Sequence, residues 1–203
     1  VSRISVLAEA CPDTNGDGTV TTSSDLNGDG VISTNPADGE MLAWGADDCV
    51  LWFRDLDDVM PGEGLVRAIA AQDIEGPDGE LIEYVWVGGY STQTAAKLDG
   101  ATGEPLLTVR APVRTYGFAL DGTGKLWISG YPNAMGFIDT LRCTEMGCDD
   151  TICTAGSEDD SCDGAVMASI QPAHGPYGIT VDFNQRVWIG GSGTARYDPS
   201  APA

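Results

Sequence analysis

Two short acidic phrases near the amino terminus contain the residue types best suited to holding a metal ion. The run DTNGDG at residues 13–18 returns twelve residues later as DLNGDG at residues 25–30. Each copy places oxygen-bearing side chains on alternate residues and ends in glycine, which permits the sharp, positive-φ turn that a loop around an ion needs. Calcium prefers about six to eight oxygen ligands and tolerates irregular geometry, whereas magnesium demands a strict octahedron. We therefore expect two Ca²⁺ ions within residues 11–49.

The spacing of the two loops predicts their ligands. The predicted oxygen donors are Asp13, Asn15, Asp17 and the Thr19 carbonyl in the first loop, and Asp25, Asn27, Asp29 and the Val31 carbonyl in the second. Asp25 also directly follows the twelfth position of the first loop, so it can serve the first site, the second, or both. Asp38 and Glu40 are the candidates to close the second loop. The first half of each loop resembles EF-hand-like and dockerin-like calcium loops, whereas Ser24 and Pro36 occupy the closing positions where such loops carry an acid.

No convincing pair of amphipathic helices flanks these loops, which favours a structural role for calcium over a sensor role.

The net charge of the chain limits the classes of molecule that it can bind. The 203-residue chain has 31 acidic and 10 basic residues and a formal net charge of −21. Nucleic acid binding needs basic residues that neutralise phosphates, and anionic membrane surfaces need them too, so both partners are excluded. Membrane insertion is excluded as well, because no apolar run approaches the ~18 residues of a spanning helix.

The six cysteines indicate disulfides and an oxidising compartment, so we expect a secreted, periplasmic or cell-surface protein. With one histidine and no matching CxxC pairs, a zinc site is not expected. Cys11 and Cys49 bracket the metal loops and form the preferred pair. The other four lie in an acidic insertion at 143–164 and permit three connectivities; they are Cys143, Cys148, Cys153 and Cys162.

A longer periodicity occupies residues 50–203. The run YGFALDGTGKLWISGY at 116–131 aligns without a gap with YGITVDFNQRVWIGGS at 177–192, and a divergent copy covers 67–90. The tryptophans repeat after 127 − 86 = 41 and 188 − 127 = 61 residues, the longer interval containing the cysteine-rich insertion. Alternating apolar residues broken by Gly, Pro and Asp predict four short strands per unit. An all-β fold of β-propeller blades, each of four antiparallel strands, follows from a period near 40 residues; a β-sandwich is the alternative.

The YGITVD…RVWIGG pattern resembles the blades of NHL-type and streptogramin (virginiamycin B) lyase-like propellers over roughly residues 65–200. A closed ring usually needs at least ~4 blades. This chain has two complete units and a third that stops after its third strand, so about three blades are expected. Residues 1–10 form a predicted strand that could complete a blade. Other protein segments or other chains would complete the ring.

The resemblance places a ligand at the mouth of the axial channel, near residues that precede each innermost strand. The candidate surface comprises Arg67, Arg114, Tyr116, His174 and Tyr177. Lyases of the streptogramin group use a histidine with acidic residues and magnesium, but no acid follows the blade tryptophans here. We therefore expect a calcium-binding scaffold for adhesion or binding, with a protein or glycan ligand, rather than an enzyme. A metal-dependent streptogramin-lyase-like enzyme and a calcium-assisted carbohydrate-binding propeller are the alternatives.

Overall fold

The computed structural model describes residues 1–130, 134–142, 152–154, 166–170 and 174–200, and these form an all-β protein of antiparallel sheets. The chain divides into two compact units, Val1–Asp55 and Leu56–Ala203. In the described residues no helix is long and apolar enough to span a membrane. The predicted all-β class is therefore confirmed.

The first unit consists mostly of loops. Strand β1 (Ser2–Ile4) pairs antiparallel with β2 (Val50–Phe53), so the strand predicted within residues 1–10 exists and its partner is β2. The predicted Cys11–Cys49 disulfide is present and links the two ends of the acidic segment. Two single 3₁₀ turns, Ala8–Ala10 and Pro36–Asp38, are its helical elements. Among its described side chains, the buried apolar ones are the two cysteines and Trp52.

The second unit begins with a four-stranded antiparallel sheet in simple sequential order. Its strands are β3 (Val66–Glu75), β4 (Leu81–Gly89), β5 (Thr94–Asp99) and β6 (Pro105–Arg110). Exposed residues alternate with buried or half-buried ones along β3 from Arg67 to Glu75, so this strand has one covered and one exposed face. In contrast, the last six residues of β4 are buried or half-buried, and since consecutive side chains point to opposite faces, both faces of the sheet are covered there.

The next two sheets follow the same order. The second contains β7 (Thr115–Leu120), β8 (Lys125–Gly130), β9 (Ala134–Asp139), β10 (Ile152–Thr154) and β11 (Val166–Ile170), with β10 pairing in parallel beyond β11. The third contains only β12 (Pro176–Val181), β13 (Val187–Gly191) and β14 (Thr194–Tyr197). The strands predicted in each unit are therefore found. Cys153 lies in β10, and Cys143, Cys148 and Cys162 lie outside the described residues, so the pairing of these four stays a prediction.

A shared register relates the three sheets. In each one, a tryptophan of the second strand lies opposite a residue of the first, and its indole N–H donates to a side chain two residues further along. The pairs are Trp86 to Gln72 Oε1 at 2.8 Å, Trp127 to Asp121 Oδ2 at 2.8 Å, and Trp188 to Asp182 Oδ2 at 2.9 Å. This bond satisfies the one polar group of an indole that would otherwise be buried unpaired.

The sheets pack against one another in chain order. Trp86 belongs to a core that continues into the second sheet through Phe118, Leu126, Ile128 and Ile138. Trp127 packs in the same way against the third sheet, whose contributing residues are Ile179, Val181, Val187, Ile189 and Tyr197. The described residues form no closed ring, so the structure establishes stacked antiparallel sheets and not a complete propeller.

Candidate calcium loops and ligand groove

The two acidic loops fold into the same hydrogen-bonded turn. Asp13 accepts the amides of Gly16 and Gly18, each at 2.7 Å, and that of Asp17 at 3.1 Å. Asp25 accepts the amides at the corresponding positions, Gly28, Asp29 and Gly30, at 2.7, 3.2 and 2.7 Å. The first carboxylate of each loop therefore accepts the same set of hydrogen bonds, in agreement with the sequence repeat at residues 13–18 and 25–30.

The inner positions of the loops also correspond. The Asp17 amide donates to Asn15 Oδ1 at 2.9 Å, and the Asp29 amide donates to Asn27 Oδ1 at 2.8 Å. The carboxylates of Asp17 and Asp29 accept the amides of Thr19 and Val31 at 2.8 and 2.9 Å. The glycines that follow them, Gly18 and Gly30, have φ of +87° and +86°, a left-handed conformation in which a Cβ is strained. The local chain path is fixed by these short-range bonds.

A buried carboxylate from later in the segment closes each loop. Glu40 accepts the amide of Asn27 at 3.2 Å and that of Ser33 at 2.7 Å. Asp48 accepts the amide of Thr14 at 3.0 Å and that of Thr21 at 2.7 Å, together with the Thr14 hydroxyl. Thr21 and Ser33 are again twelve residues apart. The structure therefore places Glu40 at the second loop, where the sequence predicts it.

Asp48 was not among the predicted ligands. The one sequence signal that could have identified it is its position directly before Cys49, at the end of the bracketed segment. Asp38 lies beside the second loop, accepting the Ser33 hydroxyl at 2.6 Å. Asp25 makes its bonds within the second loop, which favours the second site for its carboxylate.

Three carboxylates of this segment are held in the charged form. Hydrogen bonds from the Thr14 hydroxyl and the Thr21 amide lower the pKa of Asp48. The Gly30 amide is the main cause of a lowered pKa at Asp25. Burial opposes ionisation of Asp47, but bonds from the amide and hydroxyl of Ser23 outweigh it and its pKa is lowered too. All three are anions at neutral pH, as a calcium ligand must be.

The donor set fits calcium in its chemistry. Each loop offers two carboxylates, one amide oxygen and a backbone carbonyl, with a buried carboxylate close by, and all are hard oxygen donors. Among the described residues, however, no three acidic, cysteine or histidine side chains already converge as a metal cluster. In Asp13 and Asp25, Oδ1 accepts two backbone amides, whereas Oδ2 accepts one and keeps a lone pair that a cation can use.

A second candidate site lies on the first strands of the three sheets, where each strand carries a bulge. The register shifts between Val66 and Ala68 in β3, between Thr115 and Gly117 in β7, and between Pro176 and Gly178 in β12. The extra residues at these bulges are Arg67, Tyr116 and Tyr177. A bulge re-aims the side chain it carries. Because β7 contacts both β3 and β12, the three side chains meet.

These side chains form a stacked column. The Arg67 guanidinium lies 4.5 Å from the ring centroid of Tyr116, and its Nη1 donates to the Tyr116 hydroxyl at 2.8 Å. The rings of Tyr116 and Tyr177 are 4.3 Å apart, and Tyr90 meets Tyr116 edge-on at 5.7 Å. Arg114 lies 5.8 Å from the Tyr90 ring. Four of the five residues predicted as a ligand surface are thus joined through aromatic contacts, with Tyr90 linking Arg114 to the others.

The column borders an open groove of about 370 Å³. Its lining repeats the same three positions from each first strand: Arg67, Ala68 and Ile69, then Tyr116, Gly117 and Phe118, then Tyr177, Gly178 and Ile179. A hydrogen bond donated by Tyr116 to Tyr177 raises the pKa of the first phenol and lowers that of the second, which Arg67 lowers further. The groove has a polar rim, a floor of small residues and an apolar wall.

His174 lies apart from this lining. Its ring packs over Gly193, where an added Cβ would come within 2.8 Å of three ring atoms. The structure therefore brings Arg67, Tyr116 and Tyr177 together at the groove and leaves His174 on the neighbouring loop of the third sheet.

No protein-family model matches the chain, and a comparison with curated protein sequences finds no match. The fold and the two candidate sites thus define the class of the protein no more finely than an all-β, disulfide-bonded protein.

Proposed function

We propose that residues 11–49 bind two Ca²⁺ ions and that the protein is a calcium-stabilised extracellular binding scaffold. The observation that carries the proposal is the bond-for-bond repetition of the two loops, each with its own buried carboxylate, Asp48 or Glu40. Asp13, Asn15, Asp17 and the Thr19 carbonyl would hold the first ion, and Asp25, Asn27, Asp29 and the Val31 carbonyl the second.

A structural role for the ions follows from the thin core of the first unit. Few of its described apolar side chains are buried, so the disulfide and the hydrogen-bonded loops carry much of its stability. The loops concentrate negative charge that folding alone leaves uncompensated. A ligand bound only by the folded state adds about 2.7 kcal/mol when its concentration is 100 times its Kd. Calcium at extracellular concentrations would neutralise the carboxylates and stabilise this unit even if each loop binds weakly.

Metal analysis and thermal unfolding test this proposal. We expect two calcium ions per chain, and a melting temperature that rises with calcium and falls in EDTA. Asp13→Asn and Asp25→Asn should each remove one ion. Asp78→Asn, on an exposed turn of the second unit, is the matched control and should keep both. An unchanged melting temperature in EDTA, together with no bound calcium, would refute the calcium assignment.

We also propose that the three stacked sheets are consecutive β-propeller blades whose ring is completed by other protein segments or chains. The three equivalent tryptophans support this. Trp86 and Trp127 are 0 % and 1 % exposed because the next sheet covers each of them, whereas Trp188 is 36 % exposed. A further sheet packed on the third one would bury Trp188 in the same way.

The first sheet of a second copy fits this place poorly. Val87 and Leu98 occupy the positions that in the second sheet are held by Ile128 and Ile138, the residues that cover Trp86, and both are already fully buried. This favours other segments of protein as the missing blades. An experimental structure of the native assembly tests it: we expect a fourth sheet over Trp188, and Trp188 facing solvent there would refute the propeller.

A further inference from the structure

We propose that the groove lined by the first strands of the three sheets binds an organic monocarboxylate that has a flat apolar body. This inference rests on the proposed function, because it names the ligand class of the scaffold's binding surface. The groove combines one cation, three small floor residues and an apolar wall in about 370 Å³, a volume suited to a small molecule or to the end of a chain.

The charge of the lining selects an anion. Arg67 is the one charged residue among the groove-lining residues and is exposed, in a chain whose net charge is −21. A guanidinium has about five N–H donors in a planar fork, and the hydrogen bond from Arg67 to the Tyr116 hydroxyl uses one of them. The remaining donors can hold a carboxylate in a bidentate pair.

The size of the ligand's charge follows from the rest of the chain. A guanidinium balances one negative charge, and the acidic chain repels anything more strongly charged. A planar carboxylate matches the fork of Arg67 and adds a single charge. Phosphate, which carries more charge and no apolar body, gains less from this groove. The groove therefore favours a monoanion.

The apolar part of the ligand has its own place. Ile69 of β3 is 58 % exposed and Tyr177 of β12 is 60 % exposed, so each of these strands offers apolar or aromatic surface to the groove. The groove is deeper between them because Ala68, Gly117 and Gly178, which form its floor, have small or absent side chains. A flat ring laid on this floor would contact Ile69 and Ile179 and stack beside Tyr177.

Gly178 offers a way to block the groove alone. Nothing lies within 4 Å of a Cβ added there, and its φ lies outside the left-handed range, so a larger side chain meets neither a clash nor backbone strain. In contrast, a Cβ at Gly117 would come within 2.9 Å of Ser129 Oγ. Gly178→Val should therefore fill the groove without disturbing the fold, which a thermal melt verifies.

Two matched ligand pairs test the proposal by calorimetry in calcium-saturated buffer. N-acetylphenylalanine against N-acetylphenylalaninamide represents the carboxyl terminus of a peptide, and phenyl glucuronide against phenyl glucoside represents an acidic sugar. We expect the acid of at least one pair to bind at least about tenfold more tightly than its neutral partner, a difference of about 1.4 kcal/mol. The pair that shows this preference identifies the natural source of the carboxylate.

Variants assign the binding to the groove. Arg67→Gln should reduce the acid to the affinity of its neutral partner, and Gly178→Val should abolish binding of both. Arg110→Gln, at the exposed last residue of strand β6, is the control and should change neither. Equal binding of acid and neutral partner in both pairs, no binding by either pair, or full binding by Arg67→Gln overturns the proposal. Because the calcium proposal is tested with Asp13 and Asp25, either proposal can fail while the other stands.

Discussion

Glu63 holds the turn that follows Tyr90, whose ring contacts Tyr116, and replacing Glu63 with glutamine should destabilise the second unit. Its Oε1 accepts the amides of Leu65 at 2.8 Å and Ser91 at 3.0 Å, and its Oε2 accepts the amide and hydroxyl of Thr92, both at 2.8 Å. The side chain is buried. Glu63→Gln keeps one acceptor oxygen and turns the other into an NH₂ group, which faces two donors.

The pKa of Glu63 sets the size of the effect. Burial raises it, but the bonds from the Thr92 and Ser91 amides and the Thr92 hydroxyl outweigh burial and lower it from 4.5 to about 2. One pKa unit corresponds to about 1.4 kcal/mol, so the charged form stabilises folding by up to about 3 kcal/mol. Orphaning buried donors costs about 1–3 kcal/mol. We expect Glu63→Gln to lose about 2–3 kcal/mol at pH 7.

The pH dependence gives the sharper test. Because the folded-state pKa is lowered, the stabilisation is fully present above about pH 4.5 and is lost as the pH falls toward 2. The stability of the wild type and of Glu63→Gln should therefore converge on acidification. Urea unfolding followed by the fluorescence of the buried Trp86 and Trp127 at a series of pH values measures this, with calcium held constant. Glu80→Gln, on an exposed turn, is the control. A difference below about 0.5 kcal/mol at pH 7, or one independent of pH, would refute the reasoning.

Two further predictions use pairs of equivalent residues. Asp48→Asn should weaken calcium binding at the first loop at least tenfold and leave the second unchanged, and Glu40→Gln should do the reverse; titration calorimetry measures both, and equal losses at both loops would contradict separate closing carboxylates. Asp121→Ala removes the acceptor of a buried indole and should cost about 2–3 kcal/mol in urea unfolding, whereas Asp182→Ala, whose indole is partly exposed, should cost clearly less. Equal costs would contradict the different burial of the two tryptophans.

The sequence predicts the strands well where local patterns determine them. The alternation in residues 116–130 places β7 and β8, and the aligned run at 177–191 places β12 and β13. Strand β3 continues to Glu75 and includes Gln72, whose side chain is the acceptor for the Trp86 indole. β10, within the cysteine-rich insertion, was not predicted because its three residues carry no strand pattern of their own.

In the candidate sites, too, residues whose contacts are local in sequence are predicted, and residues whose contacts are distant in sequence are not. The turn around Asp13 is visible in the sequence because its partners are the next five residues. Asp48 is not, because it reaches Thr14 across 34 residues. The column of Arg67, Tyr116 and Tyr177 lies between these cases. The repeat aligns the three positions, but only the bulge in each strand shows that their side chains meet.

The position of Asp48 connects the disulfide to the two acidic loops. Cys11 lies two residues before the first loop, and Cys49 directly follows Asp48. The covalent link therefore returns the end of the segment to its beginning, which puts the Asp48 carboxylate within reach of the Thr14 and Thr21 amides. Glu40 needs no such link, because it follows Ser33 by seven residues. The closing carboxylate of the first loop is thus positioned by a disulfide between distant residues, and that of the second by the chain that directly follows the loop. We therefore expect that reduction of the disulfide weakens calcium binding at the first loop more than at the second, which titration calorimetry with and without a reductant measures.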